Sequence, residues 1–71
     1  MKNNLLTARA TLIDLVKQLK AWKAHDALKV AKSDLDLVER ALVDETLALD
    51  LVNQIHNPAV REMILTGNVV I

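Results

Sequence analysis

Seventy-one residues without a cysteine exclude a disulfide framework and a thiolate metal site, and a chain this short makes one domain at most. The apolar fraction is 52%, carried by aliphatic residues with one Trp and no Phe or Tyr, which suits a helix-bundle seam and not a β-sandwich core. The formal net charge is zero but uneven: residues 1–33 carry +5 and residues 34–71 carry −5.

The first helix is expected from about residue 3 to residue 32. Leu5, Leu12 and Leu19 step by seven, with Ala8, Leu15 and Trp22 at the interleaved heptad spacing. Leu6, Ile13 and Val16 widen that stripe, and Thr7, Thr11, Asp14 and Gln18 form a polar back. Between residues 24 and 32 the apolar phase moves, so this piece either continues the helix or bends near His25–Asp26. Continuation is the reading adopted, which puts a hairpin turn at residues 32–34. Trp22, at a seam position, is then expected to be buried.

The second helix is expected over residues 34–57. Ser33 suits an N-cap, and Asp34 and Asp36 place negative charge near the positive end of the helix dipole. Leu35, Leu42 and Leu49 step by seven, interleaved with Val38, Glu45 and Val52 and flanked by Ala41, Ala48 and Ile55. Such a rod would be about 35 Å long. Val43, Leu47 and Leu51 lie off this seam and need cover of their own. Asn57–Pro58 then opens a third helix over residues 58–66, with Asn57 as N-cap, Pro58 at the first position and Gly67 as the left-handed terminator. Residues 67–71 form an apolar tail.

Glu45 is the sharpest single residue, a carboxylate on an apolar seam. Burying it unpaired costs several kcal/mol, so a register-setting partner near Lys20, Trp22 or Lys23 is expected. His25 and His56 are the only histidines and do not form a metal-ligand spacing with any carboxylate. The segment Ala24–Lys29 is loosely similar to the His-x-Leu-Lys-Gly segment of histidine phosphotransfer domains, whose helical His accepts a phosphoryl group. The similarity covers six residues, with one residue inserted and no Gly beside the His. Lys17, Lys20, Lys23, Lys29 and Lys32 form a basic face able to meet phosphates.

No phosphate-binding loop, nucleophile set or apolar span of ~18 residues is present, so neither an enzyme, a cofactor nor a membrane partner is expected. The N-terminal residues have no apolar core of signal-peptide type, and a cytoplasmic protein is expected, its size fitting a bacterial or phage source. The expected fold is all-α: an antiparallel helical hairpin closed by a short third helix. Assembly into a homodimeric four-helix-type bundle would cover the surplus apolar surface. The expected function is a protein–protein interaction or regulatory module acting through self-association and partner binding. Its candidate contact residues are Leu5, Leu12, Leu15, Leu19, Trp22, Leu42, Glu45, Leu47, Leu49, Leu51 and Val52. The alternative is a nucleic-acid-binding regulator that uses the Lys17–Lys32 face.

Overall fold

A computed structural model describes residues 2–67. Among them are four helices and no strand: α1 (Lys2–Ala21), α2 (His25–Val43), α3 (Ala48–Asn53) and α4 (Pro58–Thr66). The chain is all-α. The apolar tail lies outside the described residues.

The first chain reversal is at residues 22–24, not at 32–34. Lys23 adopts a left-handed conformation (φ 57°). The Ala24 amide donates to the Leu19 carbonyl at 3.0 Å and the Lys23 amide to the Lys20 carbonyl at 3.2 Å. That pair of bonds is a Schellman motif, which satisfies carbonyls that the end of α1 would otherwise leave without partners. Helix 1 therefore stops at Ala21 instead of running to residue 32, and Ser33 lies inside α2 instead of capping it.

The expected second helix is also two. Asp44 leaves helical geometry (φ −120°, ψ 95°). Its carboxylate accepts from the Thr46 amide at 3.1 Å and the Thr46 hydroxyl at 2.6 Å. A short polar side chain that offers the backbone a local partner competes with helix, and here it wins. After α3, residues 54–57 reverse the chain again. Asn57 then caps α4 through its side chain, which accepts from the Ala59 and Val60 amides, and Gly67 closes it in the left-handed conformation (φ 75°).

The helices run alternately up and down. Arg9 pairs with Glu39 at 3.5 Å, and Leu15 and Leu19 border the same cleft as Ala27 and Ala31, so α1 and α2 are antiparallel. An antiparallel hairpin is thus present, but between residues 2–21 and 25–43 instead of 3–32 and 34–57, with its turn ten residues earlier than expected. α4 lies beside α1 in the opposite sense: the Asn4 side-chain amide donates to the Ile64 carbonyl at 3.1 Å, while Thr11 borders Asn57 and Val60. α3 bridges α2 and α4, and the diagonal pairs α1/α3 and α2/α4 do not come within 8 Å between Cα atoms. One chain alone therefore closes a four-helix square, the arrangement expected to need two chains.

The core is one cluster to which every helix contributes: Leu5, Ala8 and Leu12 from α1, Val38 and Ala41 from α2, Ala48 and Val52 from α3, and Val60, Met63 and Ile64 from α4. Ile55, in the last reversal, completes it. Each fully buried Leu, Ile, Val or Met side chain here contributes roughly 1.5–3 kcal/mol. Alanines at Ala8, Ala31, Ala41 and Ala48 keep the buried faces narrow, so the backbones approach closely. Because α3 and α4 are short, they cover only part of the longer α1–α2 hairpin, whose turn end projects beyond them.

Candidate functional site

The buried polar centre is Asp34, not Glu45. Asp34 is 1% exposed, in the middle of α2. One carboxylate oxygen accepts from the His56 amide at 2.9 Å and lies 2.9 Å from His56 Nδ1; the other accepts from the Asn57 amide at 3.1 Å. A charge taken out of water needs this kind of saturation. Its effect is architectural: it fastens the last chain reversal to α2 and aims α4 back along α1. The Arg61 guanidinium adds a bond to the Ile55 carbonyl at 3.3 Å across the same reversal.

Glu45 is exposed, in the turn between α2 and α3, and borders a small cleft beside Lys2, Leu5, Leu42 and Ala48. Its expected burial against residues 20–23 is overturned, because those residues lie at the opposite end of the hairpin. Trp22 is likewise not buried. It stands 69% exposed in the α1–α2 turn. His25 opens α2 instead of sitting within a helix body, unlike the histidine of the phosphotransfer segment it resembles.

The remaining candidate contact residues divide three ways. Leu5, Leu12 and Val52 are consumed by the chain's own core. Leu15, Leu19, Leu42 and Leu51 are half-buried. Leu47 and Leu49 are 49% and 53% exposed. Val43, noted in the sequence only as lying off the seam, is 88% exposed, the most of any large aliphatic side chain described.

Two surfaces at opposite ends result. At the hairpin tip, residues 14–32 carry five lysines against Asp14 and Asp26, a net +3, and Trp22 stands among them. Beside the tip, an apolar cleft of about 380 Å³ is lined by Leu15, Leu19, Ala27 and Val30 and bounded by Asp34 and His56. At the other end, Val43, Leu47 and Leu51 floor a groove of about 450 Å³ between α2 and α3, edged by Asp36, Glu39, Arg40 and Asp44. Asp36 is paired with Arg40 at 3.0 Å and Glu39 with Arg9. Asp44, Glu45 and Asp50 have no cationic partner among the described residues, and neither do the five tip lysines have an anionic one. The Thr46 hydroxyl, and to a lesser degree the Thr46 and Leu47 amides, hold the Asp44 carboxyl below its ordinary pKa.

No family model, curated protein or solved structure matches the chain. No described helix is long and apolar enough to cross a membrane.

Proposed function

We propose that this chain is a small helical interaction module that acts by binding protein, first of all a second copy of itself. The observation that carries the reading is the placement of Val43 and Leu47 on the surface of a chain whose core is already closed. Single exposed leucines are ordinary, but apolar side chains gathered in one groove mark an interaction surface. The reading assigns the chain no catalysis. Its one oriented acid–histidine pair, Asp34–His56, spends its carboxylate on backbone amides that fix the fold. The module is placed in the cytoplasm, with which the absence of cysteine is compatible.

Sedimentation equilibrium across micromolar concentrations tests the reading. A reversible dimer of the 7.9 kDa chain is expected; a single folded monomer at every concentration would refute self-association.

A second reading has its own observation. The fold gathers five lysines and the exposed Trp22 at one tip, a combination suited to phosphates and stacked bases. It calls for binding to a single-stranded oligonucleotide that falls steeply with salt.

A further inference from the structure

We infer that the hairpin tip of one copy docks in the α2–α3 groove of a second copy. This deepens the self-association reading and rests on it. The two ends are complementary in charge, and one presents an exposed aromatic ring where the other presents an apolar groove. The tip offers Trp22, the chain's one aromatic side chain, flanked by Lys20 and Lys23. The groove offers an apolar floor of Val43, Leu47 and Leu51 edged by Asp36, Glu39, Arg40 and Asp44; Asp36 and Glu39 are paired with arginines, and the Asp44 carboxylate has no cationic partner among the described residues.

Within one chain the surfaces cannot meet, because they sit at opposite ends of a molecule 35 Å long. Between two chains, tip-to-tip or groove-to-groove contact would oppose like charges, which is unfavourable. Tip-to-groove contact pairs each excess with its opposite and places an amphipathic aromatic ring on aliphatic side chains, the usual anchor of a protein interface. Laid side by side and antiparallel, two copies make this contact twice under one two-fold axis, the commonest closed symmetry.

The test is a complementation of two full-length variants, both altered only at exposed positions. One reverses the tip (Lys20→Glu with Lys23→Glu); the other spoils the groove (Leu47→Lys). Circular dichroism checks that both fold. Each alone is expected to dissociate at least about tenfold more readily than wild type, through lost charge pairing or lost burial. Mixed in equal amounts, they bring together one intact tip and one intact groove, and the reversed tip meets the altered groove, the two now opposite in charge, so a heterodimer is expected. Trp22 emission should shift blue as wild type associates, and added salt should weaken the dimer.

Variants that dimerise like wild type would overturn tip-to-groove docking and leave self-association standing through another surface. Variants that are monomeric both alone and mixed would overturn the pairing itself. A monomeric wild type that binds a single-stranded oligonucleotide through Lys20 and Lys23 would overturn both readings in favour of nucleic acid.

Discussion

The chain reverses direction at residues 22–24 and again at 54–57, and the two reversals are built on different principles. The first is held by backbone alone. Lys23 takes a left-handed conformation, and two amides return to α1 carbonyls with no side chain taking part. The last is held by side chains. Asp34 reaches across from α2 to take two backbone amides, and Asn57 takes two more at the start of α4. The first reversal is set by the local chain and is indifferent to the rest of the fold. The last exists only while α2 lies beneath it, so it couples α4 to the hairpin.

Breaking that coupling should have the largest effect. Asp34→Ala leaves the His56 and Asn57 amides without an acceptor in a part-buried site. Urea denaturation is expected to show a loss of about 3 kcal/mol. Asp34→Asn keeps one acceptor oxygen but points an N–H at the Asn57 amide, and about half that loss is expected. If both variants were as stable as wild type, Asp34 would not be fastening α4.

Asn57→Ala probes the local half of the same reversal. It removes the cap of the Ala59 and Val60 amides but leaves the Asp34 bonds in place. The expected cost is about 1 kcal/mol. The Asp34→Ala and Asn57→Ala losses should not add when combined, since both act on one turn. Strict additivity would mean that the capping and the long-range bonds are independent.

The backbone-only reversal responds in the opposite direction. A non-glycine residue in the left-handed region is strained, and glycine is not. Lys23→Gly is therefore expected to stabilise the chain by about 1 kcal/mol, and Lys23→Ala, which removes the charge but keeps the Cβ, is not. Equal effects from both would assign the gain to charge rather than to conformation.

The two reversals also explain what the sequence could reveal. Residues 31, 34, 38, 41, 45, 48, 52 and 55 keep an unbroken heptad spacing, and the structure buries all of them except Glu45. The buried face was legible only in part: Val38, Ala41, Ala48, Val52 and Ile55 read on or beside the seam, but Leu35, Leu42 and Leu49, read as its centre, are half-buried or exposed, and Asp34 read as a first-turn residue. α4 was legible, because Asn57, Pro58 and Gly67 are residue types with one local meaning. The turns were not. Lysine carries no signal for a left-handed backbone, so residues 22–24 read as uninterrupted helix. The heptad phase also continues through the break at residues 44–47, so periodicity alone joined α2 to α3. Glu45, the carboxylate read on that seam, falls in the break. Asp34 gains partners 22 and 23 residues further along, which local pattern cannot show.

The turn at residues 44–47 lies between the two designs, with a side chain that acts only locally, and its expected effect is the smallest. The Thr46 hydroxyl, ahead of the Thr46 amide, lowers the Asp44 pKa from its ordinary 3.8. A carboxylate whose pKa is lower in the folded chain adds stability above the unfolded value. That contribution is lost as the pH falls from 3.8 through the lowered folded value. The group is on the surface, so solvent and salt screen the effect. Thr46→Val removes the hydroxyl and keeps the amide. The Asp44 carboxyl, followed by carbon-detected titration, is expected to move back toward its ordinary range, and the acid limb of the stability curve should flatten slightly. The break between α2 and α3 should persist, because the Thr46 amide still donates to Asp44. Fusion of α2 and α3 into one helix in Thr46→Val, seen as a gain in helical ellipticity, would show that the hydroxyl and not the amide makes this turn.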